Sequence, residues 1–167
     1  MSTTLFFDFT VDKETNTIHV KRDFAAELPL VWDAYTRPEI LDQWWAPKPW
    51  KTETKTMDFR EGGHWHYAML GPAGEVFWCF ADYITIEPYK RYTGLDGWAD
   101  ESGHVDTKMP QSKWEAIFTD KGPLTQVEFN IVYPDLAQLE ATIQMGFREG
   151  LALAMEGLDQ VLTLMNK

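Results

Sequence analysis

The distribution of proline is the feature that most constrains what this chain can fold into. Nine prolines lie at or before residue 134, and the 33 residues that follow contain none. Proline breaks helix interiors, so this last segment is the best place for a long helix. Apolar residues recur there at steps of three and four from Leu136 to Met165, which is the spacing of an amphipathic helix. With Asp135 as a candidate N-cap, the pattern predicts a helix over about residues 135–166, roughly 45 Å long.

The segments between the prolines predict a hairpin, two short helices and a series of strands, in that order. Alternating apolar residues predict the hairpin over residues 5–24, and three- to four-residue spacing predicts short helices over about 28–45. From about 51 to 133, alternating segments are joined by tight turns that contain Gly or Pro, which is typical of antiparallel strands. The long helix must bury its apolar stripe, and a curved antiparallel sheet can wrap around it. We therefore predict an α+β fold in a single domain, residues 1–167.

Charge and composition exclude several functional classes. The formal charge of −11 at pH 7 disfavours nucleic acids and anionic membranes as partners, because both repel an acidic surface. The single cysteine, Cys79, excludes an internal disulfide framework and a four-thiolate zinc site. The sequence shows no basic targeting segment and no run of eighteen apolar residues. We expect a cytoplasmic protein.

Four segments together resemble a known family. They are the residues from Phe24 to Thr36, the Trp-Trp-Ala-Pro segment 44–47, the segment Asp58-Phe59-Arg60-Glu61-Gly62-Gly63, and Ile86-Glu87-Pro88. The chain is similar, over about residues 16–166, to the family related to the activator of heat-shock-protein ATPase, in the START-like (SRPBCC, helix-grip) superfamily. The resemblance implies a helix-grip fold with a cavity between the sheet and the long C-terminal helix. It implies activity less directly, because relatives include lipid carriers, hormone receptors, cyclases and a co-chaperone domain.

Aromatic residues make up 14% of the chain and include eight tryptophans, so they must line a core, a pocket or an interface. Rows of alternating residues on the predicted strands should face the long helix. In an ordinary protein such rows are core, whereas the family resemblance favours an open cavity between them. Trp78 is ambiguous, because the segment from Val76 to Tyr83 is apolar on both faces. The candidate ligand-binding residues are Trp45, Trp65, Tyr67, Met69, Trp78, Trp114, Phe118, Phe129, Ile131, Met145 and Phe147.

Two local features have both a functional and a structural interpretation. Trp44, Trp45 and Trp50 lie in a Pro-rich segment, where they could form a gate for a ligand or simply cap the core. Gly146 and Gly150 interrupt the predicted helix at a cost of about 1 kcal/mol each relative to Ala. They could leave room for a ligand or allow the helix to approach the sheet closely.

Evidence for catalytic or metal chemistry is weak. His64 and His66 flank Trp65 on a predicted strand, so both imidazoles share one face. They could be two ligands of a metal, but if Trp65 points inward both histidines point outward. Cys79 has no neighbouring base and is expected to be a small buried apolar residue. We predict no catalytic residue, no metal and no cofactor.

The leading functional prediction is a protein that binds a small apolar or amphipathic molecule in a cavity between the sheet and the C-terminal helix. A protein-interaction or chaperone-associated stress-response module is the alternative, with Trp98 or Trp50 on an exposed loop as an anchor. An enzyme, cyclase- or hydrolase-like, acting in the same cavity is a further alternative, less favoured than binding. The chain could be a monomer or a homodimer.

Overall fold

The computed structural model describes residues 6–109 and 111–165. Leu5 of the predicted hairpin, Pro110, and residue 166 at the end of the predicted helix lie outside the described residues. The described residues form eight strands and four helices. In chain order these are β1 (Phe7–Asp12), β2 (Thr17–Phe24), α1 (Leu28–Thr36), α2 (Pro38–Trp44), β3 (Lys51–Asp58), β4 (His64–Leu70), β5 (Val76–Glu87), β6 (Arg91–Ala99), β7 (Ser112–Lys121), β8 (Leu124–Val132), α3 (Leu136–Gln144) and α4 (Phe147–Met165).

The eight strands form one antiparallel sheet in the order β1-β2-β8-β7-β6-β5-β4-β3. Strands β3 to β8 follow one another along the sheet, and short turns join all of these pairs except β6 and β7, which have a longer connection. The β1–β2 hairpin then pairs beside β8, with Val20 opposite Phe129. Phe129 in turn lies opposite Ala116 of β7. These three residues are almost fully buried, so alternation along the strands defines one apolar face of the sheet.

Helix α4 packs its apolar stripe against that face. The buried residues of the stripe are Leu151, Ala154, Met155, Leu158, Val161 and Leu162. An ion pair also joins the helix to the sheet: the Arg22 guanidinium donates two hydrogen bonds to the Asp159 carboxylate, 2.8 and 2.7 Å long. The predicted fold class, a curved antiparallel sheet around a long C-terminal helix with two short helices after the first strands, is confirmed.

The two short helices close one end of the space between the sheet and α4. The indole Nε1 of Trp44, at the end of α2, donates to the carbonyl oxygen of Ala34 in α1 at 2.9 Å. The Tyr35 ring packs edge-to-face on Trp44, with ring centroids 4.8 Å apart. Trp44 and Tyr35 are both buried. The Trp44 ring therefore caps the core.

The prediction of one uninterrupted C-terminal helix is wrong. The chain forms α3 and then α4, separated by Met145 and Gly146. Gly146 has a φ of +88°, a left-handed conformation that ends a right-handed helix and that Gly adopts at no steric cost. The apolar spacing continues through the break, which is why periodicity alone missed it. Asp135 caps α3 as predicted, because its side chain accepts a hydrogen bond from the Gln138 N–H at 2.8 Å.

None of the helices in residues 6–109 and 111–165 is long and apolar enough to cross a membrane.

The helix break yields a prediction with a matched control on the same segment. A Cβ added at either Gly146 or Gly157 would have no neighbour within 4 Å, so steric crowding does not separate the two positions. Gly146→Ala is expected to lower the free energy of unfolding by about 1–2 kcal/mol, because Ala is strained at positive φ. Gly157→Ala, within α4, is expected to raise it by about 0.4–1 kcal/mol, because Ala favours the helix. Urea denaturation of both variants measures the difference. Equal effects at the two positions would contradict the left-handed conformation of Gly146.

Candidate functional site

A cavity of about 280 Å³ lies between the concave face of the sheet and the C-terminal helices. The segment after α2 forms one side, strands β4 to β7 form the floor, and the junction of α3 and α4 forms the opposite side. The residues that line it are Trp45, Pro47, Tyr67, Met69, Cys79, Asp96, Gly97, Trp98, Ser112, Trp114, Tyr133, Thr142, Met145, Gly146, Phe147, Gly150 and Leu151. Most of this surface is apolar, which favours a ligand with a substantial apolar part.

Aromatic rings form the walls of the cavity and are fixed by contacts with one another. The Trp45 indole Nε1 donates to the Tyr67 hydroxyl at 3.2 Å. The Trp114 indole Nε1 donates to Ser112 Oγ at 2.8 Å, and its ring meets that of Phe147 at 90°. Because their polar atoms already have partners, the indole rings present mainly their faces to the cavity.

Asp96 is the one carboxylate among the described residues that line the cavity. It lies on β6, opposite Ser112 of β7. Its Oδ1 atom is buried and has no hydrogen-bond partner within the protein. Burial raises the pKa of the Asp96 carboxyl to about 7, although the backbone N–H of Gly97 acts in the opposite direction. The acid therefore titrates near neutral pH inside an otherwise apolar space.

Hydroxyl groups lie on the same side of the cavity as Asp96. The pKa of the Tyr133 phenol is raised to about 12, mainly by burial and in part by the Asp96 carboxylate. The side chains of Thr142 and Ser112 interact with the Tyr133 hydroxyl and lower the pKa in part. Asp96 and these three hydroxyls give the cavity one polar side. They can accept or donate hydrogen bonds to a ligand that reaches them.

Cys79 and Tyr67 are neutral groups in the floor of the cavity. Burial, with a contribution from Asp96, raises the pKa of the Cys79 thiol well above its ordinary value. The same two causes, burial first, raise the pKa of the Tyr67 phenol. A thiol that stays protonated is a poor nucleophile. The position of Cys79 therefore fits the expectation of a small buried apolar residue.

The structure brings six of the eleven predicted ligand-binding residues together around the cavity and places five elsewhere. The six that line it are Trp45, Tyr67, Met69, Trp114, Met145 and Phe147. The other five are Trp65, Trp78, Phe118, Phe129 and Ile131. Met145 and Phe147 reach the cavity because they flank the break between α3 and α4, and not because they lie on one continuous helix face.

Four of the five remaining residues belong to the core. Trp65 stacks on Tyr67 with ring centroids 3.8 Å apart, and its Nε1 donates to Thr54 Oγ1. Phe118 and Phe129 pack against Tyr35 at the closed end, with ring centroids 5.3 and 5.8 Å away. Ile131 is fully buried within the same core. These four residues therefore belong to the hydrophobic core and do not line the cavity.

Trp78 lies on the opposite face of the sheet from the cavity. Its neighbour Cys79 points inward, so Trp78 points outward by alternation. Its ring packs beside His66, and Lys55 Nζ lies 5.7 Å from its ring centroid. A loop that contains Asp100 also lies on this outer face, where the His66 Nε2 atom hydrogen bonds to the Asp100 carbonyl oxygen at 2.9 Å.

The two histidines share the outer face, as expected from inward-facing Trp65. His64 stacks on Phe80 and hydrogen bonds to Thr56 Oγ1 at 2.9 Å. In the described part of the chain, no group of three or more His, Cys, Asp or Glu side chains is placed to hold a metal ion.

Sequence reasoning missed the polar side of the cavity. Trp98 lies on β6 and lines the cavity, so it is not on the exposed loop that the protein-interaction alternative requires. Trp50 packs on Phe77, with ring centroids 5.7 Å apart. Alternation along β6 is the sequence pattern that would have placed Asp96 and Trp98 in the cavity. Tyr92, Asp96 and Trp98 share one face, so the inward position of the aromatic residues also places the carboxylate inward.

Comparisons with known proteins agree with this architecture. The sequence model of the family described as "Activator of Hsp90 ATPase homolog 1-like protein" matches residues 25–163. The solved structures that resemble the chain include protein Ms6760 from Mycobacterium smegmatis, at 28% identity and a TM-score of 0.86, covering 95% of this chain and 97% of that one. A protein from Arthrobacter aurescens is 26% identical with a TM-score of 0.87, covering 93% and 91%. A protein from Staphylococcus epidermidis is 26% identical with a TM-score of 0.82, covering 93% and 94%. A search of curated proteins found no match.

The buried carboxyl of Asp96 predicts a pH dependence of stability. Its pKa is about 7 in the folded protein and near 3.9 in the unfolded chain, so the folded state holds a proton that the unfolded state has lost between these values. Stability should therefore fall as the pH rises from about 4 to 7. Asp96→Asn should remove this fall, and its advantage over the wild type should be on the order of 2–4 kcal/mol greater at pH 8 than at pH 4.5.

The measurement is urea denaturation at both pH values. Asp82→Asn is the matched control, because Asp82 lies on the adjacent strand β5 and pairs with Leu95, next to Asp96. By alternation with Ala81 and Tyr83, it points away from the cavity. Parallel pH profiles of the wild type and Asp96→Asn would contradict the prediction.

Proposed function

The chain belongs to the Activator of Hsp90 ATPase homolog 1-like family and has the helix-grip fold of the START-like superfamily, and on that basis we propose that it binds a small apolar or amphipathic molecule in the cavity beside α4. At the level of the family, either a ligand-binding or an Hsp90-associated module is supported. The observation that carries the ligand-binding proposal is the aromatic cavity itself, which has one polar side.

The size of the cavity limits the ligand. A closed apolar cavity of about 150 Å³ holds benzene, and drug-sized molecules occupy pockets from about 300 Å³ upward. The volume of about 280 Å³ therefore suits one or two rings with a short substituent. A long acyl chain would exceed it unless the helices moved.

The entrance lies where α3 gives way to α4. Met145, at the junction, is 64% exposed although it lines the cavity. Phe77, which is about half exposed, lies beside the cavity-lining Trp98, with ring centroids 5.9 Å apart. Exposed apolar side chains at an opening offer a first contact for an apolar ligand. The left-handed turn at Gly146 thus leaves the apolar interior accessible from solvent.

Filling the cavity tests the proposal. Gly150 of α4 lines the cavity, and a Cβ at this position would lie 3.8 Å from Pro47 Cγ. Gly150→Leu should place its side chain in the opening and weaken binding of the neutral two-ring fluorescent probe 6-propionyl-2-(dimethylamino)naphthalene at least tenfold. Gly157→Leu puts the same side chain on the same helix, where a Cβ meets open space, and should leave the affinity within about twofold. Fluorescence titration measures both.

If both variants bind the probe as the wild type does, or if the wild type gives no saturable binding, the proposal is wrong. Native mass spectrometry of the purified protein provides an independent test. A co-purified small molecule that disappears after denaturing extraction would support binding, and the same spectrum would show whether the chain is a monomer or a homodimer.

A protein partner is the second candidate function, and the exposed apolar residues Phe77 and Met145 favour it together with the family name. A partner that docks at this opening should compete with the fluorescent probe. Recovery of no stoichiometric partner in a low-salt pull-down would argue against this function.

An enzyme acting in the same cavity is the third candidate, with Asp96 as its acid. It predicts that Asp96→Asn abolishes turnover and spares ligand binding.

A further inference from the structure

The charges around the cavity are strongly asymmetric. Asp96 is the one acid, and no Lys, Arg or His appears among the residues of the described chain that line the cavity. A buried carboxylate or sulfonate of a ligand would find no positive partner there, and an unpaired buried charge is costly. The net charge of −11 adds to the repulsion of anions and attracts cations. The cavity is therefore unsuited to fatty acids and other anions.

Asp96 has the geometry of an unfilled acceptor. Its Oδ1 atom is buried without a hydrogen-bond partner, although buried polar atoms in folded proteins are nearly always paired. Strand β6 holds the residue between β5 and β7, and both neighbouring strands pair with it at this point. The carboxylate is thus fixed by the sheet and does not depend on a loop for its position. Asp96 also lines the cavity, so a positively charged group bound there would lie close to this carboxylate and balance its charge.

The aromatic walls of the cavity also favour a positively charged ligand. Trp45, Trp98, Trp114, Tyr67 and Phe147 all line the cavity that contains Asp96. The faces of aromatic rings attract cations, most strongly when the cation is desolvated, and Trp is the strongest of them. A carboxylate together with several ring faces is a favourable environment for an organic cation, which carries its own apolar groups.

We propose that the ligand is a hydrophobic organic cation, such as an aromatic amine or a quaternary ammonium compound, whose positive nitrogen lies against Asp96 and whose apolar part packs on the aromatic walls. The proposal rests on the proposed function, because it requires a ligand in this cavity. It adds the chemical class of the ligand and the residue that selects it.

Binding of such a cation is coupled to ionisation of Asp96. The charge of Asp96 raises the pKa of five other titratable groups, and burial is the larger cause for each of them. They are Tyr67 of β4, Cys79 and Tyr83 of β5, Tyr92 of β6, and Tyr133 after β8. All five are neutral at pH 7, so Asp96 is the group that changes charge near this pH. A cation of fixed charge should favour ionised Asp96. With a pKa of about 7 for this acid, its affinity should rise about tenfold from pH 6 to pH 8.

The test compares two probes of nearly the same shape. Benzyltrimethylammonium carries a permanent positive charge, and neopentylbenzene replaces its nitrogen by carbon. In tryptophan fluorescence titrations at pH 8, the wild type should bind the cation more tightly than the neutral probe. Asp96→Asn should weaken cation binding at least tenfold and change the affinity for neopentylbenzene by less than about twofold. Asp82→Asn, which removes the same charge from the outer face, should leave both affinities unchanged.

The outcomes separate this inference from the proposed function. If both probes bind equally, or if Asp96→Asn and the wild type bind the cation alike, the inference is wrong while binding in the cavity stands. Loss of cation binding in Asp82→Asn to the same extent would also overturn it, because general charge would then explain the effect. If neither probe binds the wild type, the inference and the proposed function both fail. A cation affinity that does not change between pH 6 and pH 8 would exclude the role of Asp96 without any variant.

Discussion

Burial of the apolar stripe of α4 in the concave face of the sheet is the contact on which the rest of the structure depends. A strongly curved sheet has too much apolar surface on its inner face to remain exposed, and the helix covers it. The Arg22–Asp159 ion pair fixes the helix to β2 at a partly buried position. At the closed end, Tyr35, Phe118 and Phe129 fill the space completely. The cavity exists because coverage is incomplete at the other end.

The incomplete coverage follows from one backbone conformation. The left-handed turn at Gly146 separates α3 from α4, so the polypeptide beside β5 and β6 is a junction and not a helix face. Met145 and Phe147 flank the junction and border the opening. An uninterrupted helix would have carried its apolar stripe across this part of the sheet. The opening of the cavity and the break between α3 and α4 therefore both depend on Gly146.

The fold could be predicted from the sequence because apolar residues repeat regularly along its strands and helices. The site could not, because it forms where individual residues depart from that repeat. Alternation along β4 and β8 correctly separates Trp65 and Phe129 from outward-facing residues, but it does not say which inward residues meet an empty space. That depends on the distance between the sheet and α4, which no local pattern records. Trp78 illustrates a second limit, because an apolar residue on the outer face packs beside His66 and Lys55 from other strands, and not in the cavity. Gly146 illustrates a third: a glycine within continuous apolar spacing gives no sign that its φ is positive.

Asp96 affects both the stability of the folded protein and the binding that we propose for the cavity. An ionised carboxylate whose Oδ1 atom is buried without a hydrogen-bond partner opposes folding near neutral pH, and an apolar residue of similar size would not carry this cost. Among the described residues, Oδ1 makes no hydrogen bond that would hold strands or helices together. Stability is commonly sacrificed at positions that serve a ligand. A cation bound beside Asp96 would pair with its charge and offset this cost. The carboxylate would therefore destabilise the ligand-free protein but not the ligand-bound protein.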